Sequence, residues 1–245
     1  MITRKLARAD GPRTILLTGA TGGIGGAIAG RLLERGHRVL GVGRNFQRGA
    51  IVHERFVPVP VDLGALDALP EALTALAQAH PEVSALVLAA GRGHFGSLEE
   101  FSYDQMRELL ELNFLSQAFV VRAFLPALKS LHRADLVFLG SEAALAGGRR
   151  GAIYSASKFA LRGFAQSLRE ECSRSGVHVC LVNPGMVRTP FFDALSFGPG
   201  DEEENAVDET SIAQAVELAL ESPFGTVLDE INLSPLKKVV KRRRP

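Results

Sequence analysis

The chain has 245 residues, 46% of them hydrophobic, enough to bury a large core in one α/β domain, and its apolar runs read as too short to span a membrane. A formal net charge of +1 gives no general attraction for nucleic acid, so no such partner is expected. The two cysteines, Cys172 and Cys180, lack metal-ligand spacing and read as small buried hydrophobes of a reducing compartment, with no metal site.

Residues 1–13 are polar and basic and lack the apolar core of a secretory signal, so they read as a flexible N-terminal tail and the cytoplasm as the compartment. Residues 14–18 are an apolar run that needs no alternation if a parallel sheet covers both of its faces. A glycine turn follows, residues 19–25, then a helix closed by Arg35 and Gly36. Glycine there lets the backbone turn and approach a ligand, and the N–H groups at a helix start attract a pyrophosphate.

Residues 38–43 read as a second strand and 56–61 as a third. The third carries Pro58 and Pro60, which cannot donate to a ladder, so it belongs at a sheet edge. A helix is expected over 66–79, a fourth strand over 84–89 and a loop over 90–93. A long helix is expected over 103–131, opened by Ser102 with Gln105 three residues on and kinked or ended at Pro126. Strand five spans 135–140, a helix runs to about 173, and strand six spans 177–182 before Asn183-Pro184-Gly185. Residues 186–208 read as a mobile loop with short helical pieces, 211–221 as a helix and 226–233 as a last strand.

The acidic run 201–204 and the basic end read as separate solvated clusters, with residues 237–245 a frayed C-terminal tail. The alternation predicts one α/β domain over 14–236: a Rossmann-type doubly wound parallel sheet of about seven strands, ordered 3-2-1-4-5-6, with helices on both faces. Ligands of such sheets sit beyond the carboxyl ends of the strands, where Gly19, Arg44, Asp62, Gly91, Ser141 and Asn183-Pro184 fall.

Tyr154 and Lys158 are four residues apart on a predicted helix, so both can face one cleft, and Ser141 at the end of strand five can meet them across it. Together with Thr18-Gly19-x-x-x-Gly23-x-Gly25, Asn113 and Asn183-Pro184-Gly185, this set resembles the short-chain dehydrogenase/reductase family over about residues 14–189. The resemblance implies carbonyl–alcohol interconversion by hydride transfer, with Tyr154 as general acid/base. Lys158 would favour the phenolate by about 3 kcal/mol and hold the nicotinamide ribose. Ser141 would hold the substrate oxygen, and Asn113 would anchor a proton-relay water. A non-catalytic NADP-binding regulator or scaffold is the alternative.

For the cofactor, the resemblance puts Gly19, Thr21, Gly22, Gly23 and Ile24 at the pyrophosphate, Asp62 and Leu63 at the adenine, and Ala90 and Gly91 along the dinucleotide. Pro184, Gly185, Val187 and Thr189 would meet the carboxamide and open the substrate loop. Gly43-Arg44-Asn45 stands where an acidic residue would grip the ribose of NAD(H), and arginine there suits the 2′-phosphate of NADP(H). Phe191, Phe192, Leu195 and Phe197 would form a lid, with His94 and Phe95 near the pocket. The family's amides after strand four are missing from Leu88-Ala89-Ala90-Gly91, leaving its bracing side chains unidentified. A homodimer or homotetramer acting on a small carbonyl or alcohol is implied.

Overall fold

The computed structural model describes residues 11–46, 51–193 and 195–242. Six parallel strands follow one another as β1 (Thr14–Thr18), β2 (Arg38–Gly43), β3 (Phe56–Pro60), β4 (Val83–Leu88), β5 (Ala134–Leu139) and β6 (Val177–Pro184). A three-residue strand, β7 (Phe197–Pro199), precedes β8 (Glu230–Leu233), which completes the sheet in the order β3-β2-β1-β4-β5-β6-β8. The prolines place β3 at the edge as expected, because Pro58 and Pro60 have no N–H to offer a further strand.

Helices α1 (Gly23–Glu34), α2 (Leu69–Ala79), α3 (Tyr103–Leu110), α4 (Ser116–Leu128), α5 (Ala152–Cys172) and α6 (Glu209–Leu220) cover the sheet. Successive side chains of β1 enter different cores. Ile15 and Leu17 pack with Ile28 and Leu32 of α1 and Val216 of α6, whereas Leu16 packs with Leu73 of α2, Phe124 of α4 and Leu161 of α5. Coverage of both faces explains the unbroken apolar runs in the strands.

Several expectations change, the last strand among them, which begins at Glu230 rather than at residue 226. The long helix is interrupted by a π-helical turn at Glu111–Leu115, and Pro126 lies inside α4, where its missing N–H falls in the final turn rather than ending the helix earlier. The stretch Tyr103–Leu128 is long and apolar enough to cross a membrane by length and composition, against the sequence reading; it packs Leu109, Val120, Val121, Phe124 and Leu128 into the protein.

At the N-terminus, Arg13 is no part of a loose tail: its guanidinium pairs with Asp135 at 2.7 Å and donates to Ser84 O at 2.7 Å, while residues 1–10 lie outside the described residues. The C-terminus departs further. Strand β9 (Val240–Arg242) pairs antiparallel with β7, and Lys241 joins Asp201 at 2.7 Å, Lys238 joins Glu142 at 2.7 Å and Lys237 joins Glu204. The basic end is docked on the acidic run because opposite charges meet along a paired backbone; residues 243–245 lie outside the described residues. Both cysteines are buried and unpaired.

Candidate active site

The carboxyl ends of β4, β5 and β6 open on a cavity of about 1010 Å³. Extended backbone at Ser141 caps the turn after β5, and its Oγ accepts from the N–H of Ala143 at 3.1 Å. Its backbone N–H donates to Asn183 Oδ1 at 3.2 Å, and Asn183 in turn donates to Asn232 at 2.9 Å. The last residues of β5, β6 and β8 are thereby tied together under the serine.

Helix α5 carries Tyr154 and Lys158 on the face turned to β5, and both line the cavity with Ser141. The Lys158 ammonium donates to the carbonyl of Leu139 at 2.9 Å, while the Ser141 hydroxyl and the Tyr154 phenol share the cavity wall. Burial pushes the phenol up to about 12, with Ser141 opposing and the carboxylate of Glu142 adding to the rise. Burial also lowers Lys158 to about 8. Burial thus acts on the phenol against the lowering expected from Lys158, whose ammonium is directed at a carbonyl.

Asn113 is buried in the π-helical turn, and its side chain does not line the cavity. It accepts from the N–H of Arg92 at 2.9 Å and donates to Arg92 O at 3.0 Å and Ser157 Oγ at 3.1 Å. With these bonds made, the side chain braces the loop after β4 against α5 rather than offering itself to a water. Gly91 lies between them, where a Cβ would stand 3.2 Å from Asn113 Oδ1.

The missing amides are replaced by Thr18 of the glycine motif and by Gln117, which the sequence reading did not single out. Thr18 Oγ1 donates to Gln117 Oε1 and accepts from the N–H of Ala90, while Gln117 Nε2 donates to Ala90 O at 2.7 Å. The signal in the sequence was an amide four residues after Asn113, at the start of a helix rich in Ala, Phe, Val and Leu.

Of the other expected cofactor residues, Ile24, Gly91, Pro184, Gly185, Val187 and Thr189 line the cavity with Tyr154 and Lys158. Gly19, Thr21, Gly22 and Gly23 form the turn into α1. Gly19 has φ +71, and a Cβ there would meet Ala90 backbone at 2.9 Å. Gly22 caps α1 without a side-chain hydrogen bond, which leaves the helix start open to an anion. Arg44 and Asn45 follow β2 with exposed side chains outside the cavity. Asp62 accepts from the N–H of Gly64 at 2.9 Å, and Leu63 is buried in the core, so only its backbone can meet a ligand. Close to the turn, a Cβ on Gly23 would sit 2.9 Å from Glu209 Oε1 and from the Thr189 methyl. This acidic neighbour was not foreseen.

The expected mobile loop holds ordered pieces: single helical turns at Pro190–Phe192 and Glu203–Asn205, and β7 between them. Phe191, Phe192, Phe197 and Phe95 line the cavity; His94 and Leu195 do not, and His94 packs on Phe101 at 4.6 Å.

The family model for short chain dehydrogenases matches residues 13–197. An uncharacterised oxidoreductase of Staphylococcus epidermidis is 29% identical over 228 residues, covering 91% of this chain and 97% of that protein. Mouse 17-beta-hydroxysteroid dehydrogenase type 1 is 33% identical over 210 residues, 81% of this chain and 61% of its own. The alcohol dehydrogenase of the archaeon Thermococcus sibiricus, solved with 5-hydroxy-NADP, superposes with a TM-score of 0.78 at 25% identity, over 91% of this chain and 96% of the other. On this fold, and with a family match over more than half of its length, the chain belongs to the short-chain dehydrogenase/reductase family of oxidoreductases.

Proposed function

We propose that this protein is an NADP(H)-dependent oxidoreductase that interconverts a carbonyl and an alcohol, with Tyr154 as general acid/base. The observation that carries the reading is the Tyr154 phenol buried in a cavity that it shares with Ser141 and Lys158. The uncapped start of α1 and the left-handed turn at Gly19 fit a pyrophosphate. Arg44, exposed and without an acidic partner among the described residues, fits a 2′-phosphate.

The dinucleotide would supply or take up the hydride. Tyr154, whose phenol burial holds up at about 12, is placed to give its proton to the oxygen of a carbonyl in reduction and to take it back in alcohol oxidation. Because Ser141 Oγ already accepts from Ala143, its own hydrogen is left for the phenol or the substrate oxygen. Lys158, near 8, carries a proton in about nine molecules of ten at pH 7 and stabilises the phenolate left behind. Asn113 holds the loop at Gly91 in place for the cofactor. A homo-oligomer packed through α5, where Phe159 is exposed, and a cytoplasmic location with both thiols reduced belong to the same proposal.

The test is a panel of aldehydes, ketones, hydroxy acids and steroids assayed by NADPH absorbance. Turnover is the expected outcome; tight NADPH binding with no turnover of any carbonyl favours the scaffold reading instead.

A further inference from the structure

Three features of the cavity go beyond hydride transfer. The first is a row of aromatic rings. Phe95 lies 4.8 Å from the Tyr154 ring and 5.0 Å from Phe197, centre to centre, and Phe197 stands opposite Arg242 in the β7–β9 pairing. An apolar wall therefore leads from the phenol to a guanidinium.

The second is charge. Besides Lys158, the cavity is lined by five cations, Arg92, Arg149, Arg150, Lys238 and Arg242, against one carboxylate, Glu142. Glu108 pairs with Arg92 at 2.6 Å, Glu100 with Arg150 at 2.7 Å and Glu142 with Lys238 at 2.7 Å. Arg149 and Arg242 have no carboxylate partner among the described residues. Neither belongs to the stretches that cradle a dinucleotide: Arg149 sits between β5 and α5, and Arg242 in β9.

The third is strain. Arg150 has φ 61, a left-handed conformation that costs a non-glycine residue free energy. It is held there by the N–H of Gly96 donating to its carbonyl at 2.8 Å and by its bond to Glu100. Arg149 directly precedes that turn and lines the cavity.

We propose that the substrate is an amphipathic carbonyl compound, with an apolar or aryl body and an anionic group at the end away from the reacting carbon. The carbonyl meets Tyr154, the body lies along Phe95 and Phe197, and Arg149 and Arg242 receive the anion. This inference rests on the oxidoreductase reading above.

The test uses the full chain saturated with NADPH and three probes: formylcinnamate, its methyl ester and formylphenyl phosphate. The acid is expected to exceed the ester in kcat/KM by about tenfold, as two partly exposed ion pairs allow, with the advantage shrinking in high salt. In R149Q/R242Q the acid-to-ester ratio should collapse towards one, while R149K/R242K keeps most of it. The phosphate should likewise exceed the ester in kcat/KM, which supports the proposal; a phosphate no better than the ester overturns it. An ester equal to the acid in the unaltered protein, or a ratio that survives R149Q/R242Q, overturns the proposal. Calorimetric binding of acid and ester to the NADP-loaded protein reads the same preference without turnover: tighter acid binding supports it and equal binding overturns it. Failure to reduce any carbonyl strikes the oxidoreductase reading instead.

Discussion

The ammonium nitrogen of Lys158 stands 6.0 Å from the centre of the Tyr154 ring, yet its hydrogen bond goes to the carbonyl of Leu139. The pair is poised rather than joined: the phenol keeps its proton, and the cation is close enough to matter once that proton leaves. Tyr154→Phe removes only the proton donor. Turnover should fall by about a hundredfold to ten-thousandfold while NADPH binding, followed by fluorescence titration, stays within about twofold. An unaltered rate would take Tyr154 out of the mechanism.

Burial holds Lys158 near 8 against an ordinary value of 10.5. Between those two values the unfolded chain carries a proton that the native chain has shed, so this lysine's contribution raises stability with pH, by about 3 kcal/mol across the window. From pH 9 the Cys180 thiol, which burial raises from 9.0 to about 12, acts in the opposite sense. Below pH 8 both states are protonated and this contribution to the slope disappears. Tyr154 acts oppositely: raised from 10.0 to about 12, it makes the native state the more protonated one there, and stability falls as pH climbs through that interval. Urea unfolding of the protein without added nucleotide from pH 7 to 9, below the range in which Cys180 opposes it, should show the rise, and Lys158→Met should abolish it. Equal slopes in the two proteins would mean that Lys158 titrates normally.

Arg44 is exposed at the end of β2 with no acidic group committed to it among the described residues. A charge-assisted pair with a 2′-phosphate is worth about 1.5–3 kcal/mol, so Arg44→Ala should lower kcat/KM for NADPH by roughly ten- to a hundredfold and leave NADH nearly unchanged. If the unaltered protein uses NADH as efficiently as NADPH, the assignment of the nucleotide fails.

Glu209 sits beside Gly23, half-buried at the start of α6, where its carboxylate competes with a pyrophosphate for the positive end of α1. Glu209→Gln should therefore tighten NADPH binding by about fivefold, an effect that shrinks in high salt. Weaker binding by the variant would show that the carboxylate supports the cofactor instead of opposing it.

Residue order by itself determined β1 to β6, the close of α1 at Arg35 and Gly36, the edge position of β3 and the placing of Tyr154 and Lys158 one turn apart on a single helix. Each rests on short-range rules: an apolar run covered on both faces, a glycine past a helix, a proline without an N–H, a four-residue spacing on a helix. Tertiary structure alone decided which polar side chains brace the site, because Thr18 meets Gln117 across 99 residues of sequence and Asn113 spends its amide on Arg92 and Ser157. It also decided that the basic end is a cavity wall, since only the folded chain brings Lys241 to Asp201. The direction of the phenol's shift belongs with these: spacing tells that an ammonium is near, but the loss of water that outweighs it exists only once the cavity is formed around both.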